Sequence, residues 1–339
     1  MASDGVKQRR IGAFSMAPIG LGCMSLSYAY GTPPVAEVAQ ALLRRALDLG
    51  VEHFDTAALY GYGANEELVG QVLKPHRKKV FLASKCGIFR NAEGAREING
   101  RPDVLRRTCE DSLRRLGTEV IDLYYLHRWD RQVPIEESVG ALADLLKQGK
   151  IRGIGLSEVS ADTLRRAHAE HPVAAVQSEY SLWSRNPEIK VLEECRRLNI
   201  TFVAFSPLAR GFLTGKLRDV ANLQPKDIRR QMPRFEPDNY AANMSLLDEY
   251  AAIAAAADCS LAQLALAWLL TRGEDVLPLI GTTSIAHLDE NLGANNVSLS
   301  PDILARLDRL INQNTVRGAR YMPSTQAEVD TEMFDTSAA

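Results

Sequence analysis

Four side chains in the first half of the sequence could together put a proton on a carbonyl oxygen: Asp55, Tyr60, Lys85 and His127. A phenol has an ordinary pKa near ~10, so Tyr60 donates poorly at neutral pH unless a nearby cation lowers it. Lys85 can be that cation. Asp55 can pair with Lys85 and hold it charged, because an unpaired ammonium in a closed pocket tends to neutralise. His127 can donate a hydrogen bond to the carbonyl oxygen and orient it. The set suits protonation of the oxygen while a hydride reaches the carbon. Taken singly, each has a plainer reading: a helix cap for Asp55, a surface cation for Lys85, a satisfied core imidazole for His127, a packing ring for Tyr60. The joint placement is harder to dismiss. Asp55, Lys85 and His127 fall at the ends of three consecutive apolar runs, and Tyr60 follows Asp55 by five residues.

Those runs belong to an alternation that fills the chain. Short apolar or β-branched stretches predict strands at 16–22, 51–54, 80–84, 121–126, 152–156, 174–178, 200–205 and 276–280. Between them, apolar residues three or four apart predict helices at 35–50, 65–74, 102–117, 136–149, 160–170, 187–198 and 260–272, with Pro187 and Ser260 where helix starts are favoured. Eight strands alternating with helices predict an α/β protein, a parallel (β/α)8 TIM barrel over residues 1–339 as one domain; an open doubly wound sheet is the alternative. A barrel of this kind carries its chemistry at the C-terminal ends of its strands, which places all four residues at one mouth. Two stretches depart from the repeat. The connection from Ser206 to about Asn239, after strand 7, carries four prolines and is long enough to cover a ligand. Residues 301–312 predict an extra C-terminal helix, followed from about Asn314 by a partly irregular tail.

Composition narrows the function. The 339 residues are 46% hydrophobic and 24% charged, and 40 basic against 42 acidic residues leave a net charge of -2, so no positive field gathers nucleic acid. Residues 1–7 lack an apolar segment that could act as a signal peptide, and the longest apolar run, Tyr250 to Ala257, is too short to cross a bilayer; a cytoplasmic protein is expected. Five dispersed cysteines without a Cys-x-x-Cys pair predict neither disulfides nor zinc. Glycine-rich nucleotide motifs fail on inspection. Gly20-Leu-Gly22 is followed by Ser25, and Gly153-Ile-Gly155 by Glu158, where the dinucleotide fingerprint wants glycine; Gly211 to Lys216 is one residue short of a phosphate loop. None of the ten tyrosines has Lys four positions later, and His168 and His171 read as a solvated helix end, not as metal ligands.

At these residues the sequence resembles the aldo-keto reductase superfamily, over nearly its whole length. The resemblance rests on Gly20-Leu-Gly-Cys-Met24, Phe54-Asp-Thr-Ala-Ala-Leu-Tyr60-Gly, Ser84-Lys85, Asp122-Leu-Tyr-Tyr-Leu-His127, Gly153-Ile-Gly-Leu-Ser157, Gln177-Ser-Glu-Tyr180, Phe205-Ser-Pro-Leu208, and Ile280-Gly-Thr282 with Glu290-Asn291. The phrases Leu208 to Lys216 and Pro233-Arg-Phe235 resemble the bacterial and plant branch with perakine-reductase-like and auxin-induced-like members. The resemblance implies an eight-stranded barrel that reduces aldehydes or ketones to alcohols with NADPH, NADH being left open. It implies Tyr60 as general acid, assisted by Lys85, Asp55 and His127. It further implies cofactor contacts from Gly22 and Met24, from Ser157 and Gln177 to the nicotinamide carboxamide, and from Phe205 to the ring. Ser206, Leu208, Gly211, Leu213 and Lys216 would follow along the pyrophosphate, and Gly281, Thr282, Thr283, Ser284, His287, Glu290 and Asn291 around the adenosine. Met24 and Trp129 would line the substrate pocket.

The chain departs from the family pattern at two places. Glu158 stands where many relatives have Asn, so no amide contact is assigned to it; Thr283 and Ser284 stand where many have Arg or Lys for the 2′-phosphate, leaving hydroxyls, His287, and Lys216 or Arg210 as candidates. Tyr30, Phe89, Trp183, Tyr321 and Met322 are further candidate pocket walls. The expected partner is a small carbonyl compound, with no nucleic acid, membrane or metal, in a monomer or small homo-oligomer. A cofactor-binding regulatory subunit that reports the redox state of the nicotinamide pool is the alternative function, and metal-assisted hydrolysis a remote third for want of a ligand cluster.

Overall fold

The computed structural model describes residues 8–91 and 93–335. Eight parallel strands close into a barrel in chain order: β1 (Gly20–Gly22), β2 (His53–Asp55), β3 (Phe81–Cys86), β4 (Leu123–Leu126), β5 (Ile154–Ser157), β6 (Ala175–Glu179), β7 (Thr201–Phe205) and β8 (Val276–Ile280), with β8 pairing back onto β1. Crossover helices α1 (Ala36–Asp48), α2 (Ala64–Leu73), α3 (Pro102–Leu116), α4 (Ile135–Lys147), α5 (Ala161–Glu170) and α6 (Val191–Leu198) surround the first seven strands. The (β/α)8 expectation is met, and the open sheet is excluded by the closed pairing.

Strand alternation decides what each wall shows to the inside. From β2 to β8 the odd-numbered residues face inward. Phe81, Ala83, Leu123, Tyr125, Ala175, Val203, Leu277 and Leu279 form one interior cluster, whereas even-numbered Phe54, Leu82, Tyr124, Leu126, Leu156, Val176 and Phe202 pack outward against the helices. Gly155 faces the interior. A Cβ there would lie 2.3 Å from the Tyr125 ring, so its glycine serves packing and not a nucleotide. The same parity aims Asp55, Lys85, Ser157, Gln177 and Phe205 into the barrel near its C-terminal mouth.

The expected strand at 16–22 is divided. Pro18, which cannot donate a ladder hydrogen bond, separates a hairpin, Arg9–Ile11 with Phe14–Met16, from β1. Ile11 and Met16 of that hairpin plug the opposite end of the interior cluster. The connection after β7 makes three short turns, Ala209–Thr214, Ile228–Gln231 and Pro233–Phe235, before helices α7 (Pro237–Met244) and α8 (Leu247–Ala256), which the sequence reading left unassigned. Helix α9 (Leu261–Leu270) starts as expected at Ser260, whose hydroxyl accepts from Gln263 N while the Gln263 side chain accepts from Ser260 N, a reciprocal cap. Pro187 instead opens a short turn, Asn186–Glu188, ahead of α6. Two further helices precede the tail: α10 (Ile285–Leu292), also unassigned from sequence, and α11 (Pro301–Leu310), the expected C-terminal one.

The tail after α11 has one short helix, α12 (Pro323–Gln326), yet it docks firmly. Arg320, Tyr321, Val329 and Thr331 are buried, and Asp330 accepts from both Ser160 N and Oγ at the start of α5, at 3.1 and 2.8 Å. No single helix among the described residues is long and apolar enough to cross a membrane. The expectation about a leader concerns residues 1–7, which lie outside the described residues, as does the end of the tail.

Candidate active site

The barrel's C-terminal mouth opens into a cavity of about 990 Å³. Asp55 is the last residue of β2, Lys85 the penultimate residue of β3, and His127 directly follows β4. Tyr60 is delivered by a tight turn, Tyr60–Gly63, in which Gly61, Tyr62 and Gly63 all take positive φ of 55, 52 and 102°. Two glycines make that path accessible; Tyr62 is the residue that bears the strain.

Lys85 is buried at 1% exposure and donates to Asp55 Oδ1, to Thr56 O at 2.9 Å and to the Tyr60 hydroxyl at 3.4 Å. The other Asp55 oxygen accepts from Gln177 Nε2 at 2.8 Å. The Tyr60 and His127 rings meet edge to face with centroids 5.8 Å apart. Burial opposes the charge on Lys85, but Asp55 and Tyr60 outweigh it and raise the ammonium pKa, so this cation stays charged. Burial also dominates at Tyr60 and pushes the phenol up, with Lys85 pulling against it. The expectation that Lys85 brings the phenol below its ordinary value is therefore corrected: the lysine offsets part of the desolvation, and Tyr60 stands as a neutral O–H donor. Burial, then Arg128, Lys85 and Arg96, hold the His127 imidazole far below its usual range. A neutral imidazole has one N–H to donate.

The cavity runs on from these groups past Ser157, Gln177 and Phe205 to two loops. After β7 it touches Ser206, Leu208, Gly211 and Lys216, and after β8 Gly281, Thr282, Thr283, His287, Glu290 and Asn291; Gly22 and Met24 of the β1 end complete it. Leu213, Ser284 and Trp129 are not among its lining residues. Leu213 is fully buried in the core, Ser284 caps α10 by accepting from His287 N, and Trp129 turns away to donate to Val133 O at 2.9 Å. Tyr30, Tyr321 and Met322 line the cavity, while Trp183 stacks on Phe212 at 4.4 Å and, like Phe89, lies outside its wall. Lys216 is paired with Glu290 at 3.3 Å. Among the described residues no group of three or more His, Cys, Asp or Glu is placed to hold a metal ion.

Reading the sequence alone missed a buried ionic network at the same mouth. Glu158, with a φ of 57°, accepts from Arg320 of the tail and from Glu179 N at 2.9 Å. Glu179 in turn holds Arg210 at 2.7 Å, and Arg210 donates to Tyr321 Oη at 3.0 Å. Burial would raise the Glu179 carboxyl, but Arg210, Arg320 and Arg234 hold it at about 2. Glu158 thereby anchors the tail to the barrel mouth. No local pattern could reveal it, because Arg320 is 162 positions away. Replacing Arg320 by Met leaves Glu158 buried without its cation and is expected to lower stability by about 3 kcal/mol, read as a lower urea midpoint at constant m.

A tyrosine, a lysine–aspartate pair and a histidine thus converge at the mouth of a TIM barrel, on a cavity that continues along the loops after β7 and β8. Residues 18–312 match the aldo/keto reductase family, and the chain belongs to it. It is 43% identical over 330 residues to the aldo-keto reductase yakc of Schizosaccharomyces pombe, which carries NADP(+) in its name, covering 96% of this chain and 97% of that one. It is 44% identical over 309 residues to a probable aldo-keto reductase of Glycine max, covering 91% and 89%. Among solved structures, the glycerol dehydrogenase of Gluconobacter oxydans superposes with a TM-score of 0.84 at 29% identity, covering 94% and 98%. An aldo-keto reductase from Klebsiella pneumoniae in complex with NADPH superposes at 0.70 with 32% identity, covering 94% and 99%.

Proposed function

We propose that this protein reduces an aldehyde or ketone to an alcohol with NADPH, Tyr60 giving the proton to the carbonyl oxygen. The observation that carries the reading is the Tyr60 hydroxyl 3.4 Å from a buried, charge-paired Lys85, facing a cavity it shares with His127.

The residues present fit the nicotinamide cofactor. The cavity is long, it starts at a polar end with the Ser157 hydroxyl and the Gln177 amide beside the Phe205 ring, and a Cβ on Gly281 would meet no atom nearer than 3.8 Å, so the space there is open. Ser206, Ala209, Arg210 and Gly211 all take positive φ, bending the β7 loop along the cavity wall. Thr282, Thr283 and His287 of the β8 loop line the cavity together with Lys216, a candidate cation for a phosphate. The NADP(+) in the name of one relative and the NADPH complex of another support that choice over NADH.

NADPH, when bound, supplies the hydride. His127, neutral, donates its N–H to the substrate oxygen and holds the carbonyl in line. Tyr60 releases its proton to that oxygen as charge builds there, and Lys85 stabilises the phenolate that remains. Asp55, fixed by Gln177, keeps Lys85 charged and aimed. Purified protein should consume NADPH, followed by its absorbance, when a reactive aromatic aldehyde is added; absence of turnover across a panel of aldehydes and ketones would sink the reading.

A further inference from the structure

Four guanidinium groups line the cavity: Arg96, Arg128, Arg210 and Arg229. Three are matched by carboxylates. Arg96 forks onto Glu328 through two 2.7 Å bonds, Arg210 holds Glu179 at 2.7 Å, and Arg229 holds Asp227 at 2.6 Å. Arg128 is different. It donates to the main-chain carbonyl of His127 at 2.6 Å and to the Ser157 hydroxyl at 3.2 Å, both neutral acceptors, and among the described residues no carboxylate pairs with it. Its buried Nε has no partner among the described residues. Its charge is felt at both Tyr60 and His127, where it favours the phenolate and disfavours the imidazolium.

A half-buried guanidinium without a counter-charge is costly, and an anion completes it. On the placement proposed above, the anionic parts of the cofactor lie along the β7 and β8 loops, away from β4, and only the neutral carboxamide comes near Ser157. On that placement, an anion that pairs with Arg128 comes with the substrate. Arg128 directly follows His127 at the end of β4 and lines the same cavity, so an anion it holds lies on the side of the cavity where His127 would meet the carbonyl.

We propose that Arg128 receives a substrate carboxylate, so that the preferred substrates are small oxo acids whose carboxylate lies one or two carbons from the carbonyl. This rests on the reductase reading. It makes Arg128 a specificity determinant beside the proton-donating set, and it accounts for a cation whose only protein partners are neutral.

Benzoylformate and its methyl ester test it: the ester removes the charge and also makes the ketone more electrophilic, so the readout is how the acid-to-ester ratio of kcat/KM changes on substitution. That ratio should be at least ~10-fold higher in wild type than in Arg128→Gln, the scale of one charge-assisted contact. Arg128→Gln should lower the acid's kcat/KM by about 10²-fold and the ester's far less, and Arg128→Lys should recover part of the preference. An acid-to-ester ratio unchanged by Arg128→Gln, or a wild type that reduces neutral aldehydes but no oxo acid, overturns the proposal. So does an equal fall for both substrates with weaker NADPH binding, since Arg128 would then serve Ser157. If wild type turns over no carbonyl compound, the reductase reading falls first. Calorimetric titration of benzoylformate into the NADP-loaded protein then decides the anion site separately, with binding to wild type and none to Arg128→Gln expected, and equal or absent binding overturning it.

Discussion

Tyr60→Phe is expected to cut NADPH consumption with an aromatic aldehyde by at least ~10²-fold while leaving cofactor binding unchanged. The substitution removes one oxygen and keeps the ring that packs edge to face with His127 and stacks at 6.4 Å on Tyr28. The cavity therefore keeps its shape, and what disappears is the O–H within reach of Lys85. Initial rates beside NADPH binding, read by fluorescence, separate lost chemistry from lost binding. Near-normal turnover would remove Tyr60 from the role of acid.

The second large effect belongs to Lys85. Lys85→Met leaves Asp55, 1% exposed, with Gln177 alone beside it, and is expected to cost about 3–5 kcal/mol of stability as well as most of the activity. It also strips Tyr60 of the strongest influence opposing its desolvation, so the phenol rises further and alcohol oxidation, which needs the phenolate, should require higher pH. Folding and chemistry can be separated. The double variant Asp55→Leu with Lys85→Met replaces the pair by apolar groups and should regain most of the lost stability, because two buried charges are removed together. It should regain none of the activity. A double variant that stays as unstable as the single one would show that the lysine packs for reasons beyond its pairing with Asp55.

The barrel was legible because its signals are local. Each wall strand is a short, largely apolar run, and parity then aims Asp55, Lys85, Ser157, Gln177 and Phe205 inward together near the mouth. The hairpin Arg9–Ile11 with Phe14–Met16 is not legible because strands of three residues are shorter than any periodic pattern, and Met16 reads as continuous with β1 despite the break at Pro18. Helices α7 and α8 escaped because prolines and charges ahead of them read as one long loop. What sequence could not show was anything set by burial or by distant pairing. The direction of the Tyr60 shift depends on how completely the ring is enclosed. The role of Glu158 depends on Arg320, 162 positions away, and the charge on Arg128 stands out only against the neutral acceptors that the fold places around it.

The central claim is that hydride passes from NADPH to a carbonyl carbon in this barrel. NADPH carrying deuterium at C4 of the nicotinamide, on the face from which the enzyme transfers, tests it directly in a reaction with an aromatic aldehyde or benzoylformate, followed by mass spectrometry of the product. The expected result is one deuterium on the carbinol carbon and none on oxygen after exchange with water. Alcohol formed without deuterium from either labelled face, or cofactor bound but never consumed, would contradict it.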